Sequence, residues 1–186
     1  MRFKKILMTL TLATCLAGGA AIAGDHEFVG AKKCGTCHEK EDIGNQNAQW
    51  AGTKHAKAMD SLKTDEAKKW AAEAGVADPL TDEKCVSCHT TAWGVSEDLK
   101  GSKFSHDEGV SCESCHGAGK DYRKKKIMVD RDAAIAQGMT NITEATCTKC
   151  HNDKSPAWKG FDYKSALKKI AHPVPEGYDP YAEDEE

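Results

Sequence analysis

The sequence predicts a mainly α fold with extensive irregular loops and little or no β-sheet, built around something other than its own hydrophobic residues. Three observations carry that prediction. The spelling Cys-x-x-Cys-His occurs four times, at Cys34-Gly35-Thr36-Cys37-His38, Cys85-Val86-Ser87-Cys88-His89, Cys112-Glu113-Ser114-Cys115-His116 and Cys147-Thr148-Lys149-Cys150-His151. Large apolar side chains are scarce, for only 19 of the 163 residues from position 24 onward are Leu, Ile, Val or Phe. Between the motifs, short segments opened by capping residues and closed by glycine read as helices separated by loops.

Each motif is the attachment signature of a c-type haem. Two thiols three positions apart add to the two vinyl groups on one porphyrin edge, and the histidine that follows binds the iron from one face. A single copy could be a zinc site or a redox dithiol. Four copies, with no Cys-x-x-Cys lacking its histidine, do not read that way, because a zinc site pooled from two motifs leaves the histidines without a consistent role. Of nine cysteines, eight sit in the motifs and Cys15 lies near the N-terminus, so no thiol is spare for a disulfide. Four covalently bound haem c groups are therefore expected, on Cys34 and Cys37, Cys85 and Cys88, Cys112 and Cys115, and Cys147 and Cys150. His38, His89, His116 and His151 are the proximal iron ligands. A chain this poor in aliphatics and carrying net charge would ordinarily stay disordered. Porphyrin faces tied on by thioethers supply the missing apolar interior. The expected architecture is thus a multihaem cytochrome c fold organised around four covalently bound haems, unfolded without them.

The first 23 residues read as a secretory signal peptide. Arg2, Lys4 and Lys5 give the positive start, residues 6–16 the apolar run, and Ala21-Ile22-Ala23 the cleavage site. The run is too short to span a bilayer well. Thr14 is an awkward neighbour for a lipidated Cys15, which is read as discarded with the leader. Residues 24–186 then form one tetrahaem domain with a mobile acidic tail at 183–186, periplasmic or extracellular, with no membrane span. Export suits the chemistry, since bacteria attach c-type haem outside the cytoplasmic membrane. Loss of the three leader cations takes the formal charge from −3 to −6. That balance argues against nucleic acid and favours a basic redox protein partner drawn in by long-range attraction.

In chain order, residues 24–33 read as extended, with His26 near the free end. Residues 47–62 read as one helix with Trp50, Lys54, His55 and Met59 at helical intervals. On it His55 is either a polar surface group or, the favoured reading, a distal haem ligand. Thr64 caps a helix over 65–74 that Gly75 ends, with Trp70 available to pack on a haem edge. Pro79 separates it from a short helix that Thr81 caps and that carries the second motif. Residues 91–111 read as irregular, turning at Gly94, Gly101 and Gly109, and hold His106, a surface or ligand histidine. Gly117 and Gly119 let backbone pass close to a porphyrin. The run Arg123-Lys124-Lys125-Lys126 is either a solvated face or a clamp for haem propionates or a partner. Asp130 caps a helix to residue 137 ended by Gly138, Thr143 caps one carrying the fourth motif, and Asp162 caps one over 163–171 stopped by His172-Pro173-Val174-Pro175.

Outside the motifs stand His26, His55, His106 and His172. Eight histidines match two imidazoles on each of four irons, which permits bis-histidine ligation throughout. Met59, Met128 and Met139 are the alternative ligands. Thioether ligation would raise the potential, but no local pattern singles them out and they read as packing residues.

Four stretches carry a family resemblance: Phe28-Val29-Gly30-Ala31-Lys32-Lys33-Cys34; Trp50 with His55-Ala56-Lys57-Ala58-Met59-Asp60-Ser61-Leu62; Gly109-Val110-Ser111-Cys112-Glu113-Ser114-Cys115-His116-Gly117; and Ser155-Pro156-Ala157-Trp158-Lys159-Gly160. Through them the chain resembles the tetrahaem cytochrome c-554 family of electron-transfer proteins. The resemblance implies that His55 and His172 are distal ligands and that the haem on His89 is five-coordinate. It also implies a distal histidine shortly after the third motif, where this chain has Lys and Arg; His106, just ahead of that motif, is the expected replacement, and His26 is open as a further ligand. The function expected is electron transfer between redox partners through closely packed haems. Two other readings stand beside it. One is a haem redox enzyme acting on a small nitrogen oxide or hydroxylamine at an open iron. The other is a subunit of a conductive filament or homo-oligomer, linked through His26.

Overall fold

The computed structural model describes residues 26–174; the leader at 1–23 and the acidic tail at 183–186 lie outside the described residues. Within them the chain forms short helices and turns: α1 (Ala31–His38), α2 (Gln46–Ala51), α3 (Ala58–Ser61), α4 (Asp65–Glu73), α5 (Glu83–His89), α6 (Cys112–His116), α7 (Lys125–Met128), α8 (Arg131–Ala136), α9 (Glu144–Thr148) and α10 (Tyr163–Ile170). Three 3₁₀ turns join them, and among the described residues the extended pairing is one isolated parallel bridge between Phe28 and Lys100. The fold is mainly helical, with no sheet among the described residues.

Among the described residues no helix exceeds nine residues, a length at which a helix is not stable alone in water. Caps and long-range ties hold the segments instead. Thr64, Asp130 and Asp162 each accept from a backbone N–H in the first turn of the helix that follows, as their side chains predict. Thr143 makes a reciprocal capping box with Thr146.

Several elements differ from their expected form. α1 begins at Ala31, so the extended N-terminal stretch is shorter than residues 24–33. Residues 47–62 are not one helix; they divide into α2 and α3, with His55 in the turn between. A tie from far along the chain competes with the helix there. Val110 N–H donates to the His55 carbonyl at 3.0 Å, and Trp50 Nε1–H donates to the Val110 carbonyl at 2.9 Å. The cap of α5 is Asp82, which accepts from Lys84 N–H; the Thr81 hydroxyl turns back to Asp78. α9 stops at Thr148, so Cys150 and His151 of the fourth motif lie beyond it.

The apolar interior is small. Val29, Ala31, Ala58, Leu62, Ala71, Val76, Val86, Tyr122 and Ala134 are its buried hydrophobic residues among those described, and four of the nine are alanines. Polar side chains complete it. Ser111 N–H donates to Thr91 Oγ1 at 2.8 Å, and that hydroxyl lies 2.7 Å from Ser114 Oγ, tying the end of the second motif to the start of the third. No described helix is long and apolar enough to cross a membrane.

Candidate functional site

The four motifs are brought side by side. Cys34 of the first lies beside Cys112 of the third, and Cys88 of the second beside Cys150 of the fourth. Cys115 of the third lies near Cys147 of the fourth. The eight described cysteines form no disulfide. Cys112 beside it, then burial, pushes the Cys34 thiol up. Burial pushes Cys115 up to about 11, and burial with Cys88 beside it pushes Cys150 up to about 12. Reactive dithiols sit in electropositive surroundings that lower the thiol; these three are raised, and Cys112 is lowered by Cys34 beside it rather than by a cation. Nor does any group of three or more His, Cys, Asp or Glu side chains converge into a metal cage among the described residues. The arrangement suits thiols spent in covalent attachment rather than in disulfide exchange or zinc binding.

The motif histidines fall into two geometries. His38 Nδ1 lies 2.9 Å from Gln46 Oε1. The Gln46 amide nitrogen already donates to the Ile43 and Pro173 carbonyls, so Oε1 accepts and His38 Nδ1 carries the proton. His89 Nδ1 donates to the Ala58 carbonyl at 2.9 Å. In both, the Nε2 lone pair is left for a metal, and the hydrogen bond on the opposite nitrogen fixes the ring and raises its basicity. The other two motif histidines each face a second imidazole. The rings of His151 and His55 have centroids 5.9 Å apart, and so do those of His116 and His172. Metal–imidazole bonds of about 2 Å place two imidazoles on opposite sides of one ion with centroids about 6 Å apart. Burial, then His172 and His38 nearby, lowers His116 to about 4; burial, then His151, lowers His55. Those rings are neutral at pH 7, the form that ligates metal. Phe161 stacks on the His151 ring at 4.8 Å and steadies it. The thiol pairs, the free Nε2 atoms and the two imidazole pairs all fit haem c.

His26 and His106 are placed differently. His26 Nδ1 is paired with Asp121 Oδ2 at 2.8 Å, and its ring edge covers Gly138, whose added Cβ would meet Cδ2 at 2.6 Å and Nε2 at 2.9 Å. His106 lies edge-on to Trp93 and Phe104, with Nδ1 3.1 Å from the Thr91 carbonyl and Nε2 3.3 Å from Lys100 Nζ. The cations Arg123 to Lys126 are exposed.

Gln46, Phe161 and Glu113 are the site residues that sequence reading missed. Gln46 reaches His38 across eight positions, and Phe161 reaches His151 across ten, neither marked by any motif. Glu113 occupies a free position inside the third motif; its carboxylate accepts from the backbone N–H groups of Val29, Gly30 and Gly119 and clamps α6 to the start of α1.

The family described as cytochrome c554 and c-prime matches residues 33–117. Cytochrome c-554 of Nitrosomonas europaea is 34% identical to the chain over 165 residues, covering 78% of this chain. The chain spans 66% of that relative's length. The solved structure of reduced cytochrome c554 from Nitrosomonas europaea is similar at a TM-score of 0.53 and 28% identity, covering 78% of this chain and 79% of that one.

Proposed function

The chain belongs to the cytochrome c554 family, and from that premise we propose that it is an exported carrier of single electrons holding four haem c groups. The observation that carries this reading is the pairing of a motif histidine with a distant one twice over, each at a centroid separation of 5.9 Å. Haem c, when bound, supplies reversible one-electron chemistry at iron, tuned by ligands and burial.

The chain's own residues do the rest. The eight motif thiols fix four attachment edges, and their neighbours set an order: first motif beside third, third beside fourth, fourth beside second. His151 with His55, and His116 with His172, would each hold one iron between two imidazoles, which would leave electron transfer as the chemistry open to it. Gln46 and the Ala58 carbonyl orient His38 and His89. The leader at 1–23 supports delivery to the periplasm or beyond, where a redox protein partner would be met. The filament reading gains nothing from His26, which is engaged by Asp121 of its own chain.

A spectroelectrochemical titration of the exported protein tests the proposal. Four reversible one-electron steps, with mass spectrometry finding four added haems, are the expected result. Fewer than four haems, or steady turnover of hydroxylamine or nitrite by the isolated chain, would sink it.

A further inference from the structure

All eight histidines lie within the described residues, and they do not sort into four pairs. His151 faces His55 and His116 faces His172, each at 5.9 Å. The two remaining motif histidines, His38 and His89, are those whose Nδ1 is held by a fixed acceptor. The two remaining histidines outside the motifs are spent elsewhere. His26 pairs Nδ1 with Asp121 and lays its Cδ2–Nε2 edge over Gly138, where an added Cβ would meet Nε2 at 2.9 Å. His106 has both ring nitrogens engaged, Nδ1 by the Thr90 hydroxyl and the Thr91 carbonyl and Nε2 by Lys100. Lys100 is itself held there, its side chain 8% exposed and paired with Glu97 at 2.7 Å. Neither can leave without breaking those bonds.

From this division we infer that the iron bound by His38, and not only the one bound by His89, lacks a histidine on its sixth side and is a binding site for a small neutral diatomic ligand of the carbon monoxide class. The inference rests on the four-haem reading above. An open sixth position is already implied for His89 by the family resemblance; the site on His38 is the new one. It makes the array two closed irons and two open ones rather than three and one. Gln46 is the positioning residue of the new site, since it fixes the His38 tautomer and ring plane, and its amide nitrogen anchors it to the Ile43 and Pro173 carbonyls.

The test is a carbon monoxide titration of the full exported protein, reduced with dithionite, after pyridine haemochrome and mass measurements have established four haems. Two carbon monoxide molecules per chain are expected; one or none overturns the inference while leaving the carrier reading intact. Fewer than four haems overturns both. His26→Ala and His106→Ala are expected to keep two, and a third binding event in either variant would show that the removed imidazole was a ligand. Gln46→Ala is expected to shift the carbon–oxygen infrared band of one adduct and not the other. A shift in both or in neither would overturn the assignment to the His38 iron.

Discussion

At the scale of single residues, Glu113 shows what a haem attachment motif is asked to do besides bind haem. It is 2% exposed, yet it is an acid, and it accepts from Val29 N–H at 2.9 Å, Gly30 N–H at 2.8 Å and Gly119 N–H at 2.7 Å. Burial pushes its carboxyl up, while the three N–H groups pull it down; burial prevails. The folded state therefore holds the proton more readily than the unfolded chain, whose carboxyl titrates near about 4.3. Its contribution to stability is greatest below that value, declines as pH rises to the raised folded value, and is level above. In denaturation midpoints between pH 4 and pH 7, the advantage of the native protein over Glu113→Gln is expected to shrink with rising pH; an advantage that grows would show that the N–H groups dominate. Glu113→Ala strips the acceptor from three buried donors, each costing about 1–3 kcal/mol when unmet. A loss of at least about 3 kcal/mol in chemical denaturation is expected. None of this is legible in the sequence, because a position between two motif cysteines accepts many residue types and signals nothing. The motif cysteines and histidines are legible because their spacing is their chemistry.

At the scale of elements, the seat of His55 is built by a turn 55 residues further on. Gly109 has φ +68° and ψ −143°, a backbone region essentially reserved for glycine. A Cβ there would meet the His55 carbonyl oxygen at 2.7 Å and the Ala58 nitrogen at 3.3 Å. Both neighbours are backbone and cannot swing aside. Gly109→Ala is therefore expected to cost more than about 1 kcal/mol from the backbone conformation alone and to push the turn off His55. The magnetic circular dichroism of the loaded protein should then show one low-spin haem turned partly high-spin; an unchanged spectrum would mean that the turn does not hold His55. Trp50→Phe, which leaves the Val110 carbonyl without its indole donor, should cost about 1 kcal/mol in the same denaturation assay. This tie explains why residues 47–62 misread as one helix. Their helical spacing is genuine, but Val110 takes the His55 carbonyl, and a competitor so distant leaves no local trace. Caps are local, so Thr64, Asp130 and Asp162 read correctly. Thr81 misread by one place because Asp82 beside it caps equally well.

At the scale of the whole molecule, scarcity of aliphatic residues and four motifs were enough to read a mainly helical fold, with no sheet among the described residues. The imidazole pairing was not, because counting eight histidines against four irons is blind to where the chain returns. His172 comes back to His116 over 56 positions and His55 meets His151 over 96, and only tertiary structure decides such meetings. The same scarcity sets the last expectation. Among the described residues, four of the nine buried hydrophobic ones are alanines, and no helix is longer than nine residues. Ordering each backbone residue costs about 1–2 kcal/mol, and a fully buried Val or Leu returns only about 1.5–3 kcal/mol. Val29, Leu62, Val76 and Val86 cannot offset that cost over a hundred and more residues, and the hydrogen-bond ties add little net because the unfolded chain bonds to water instead. Replacing all eight motif cysteines by alanine, which keeps every histidine and cap but removes covalent haem, is therefore expected to leave a disordered chain. Its far-ultraviolet circular dichroism should lack helix and show no cooperative thermal transition, while the loaded protein melts in one. A cooperative melt in the variant would mean that the peptide's own packing, and not porphyrin, makes the interior.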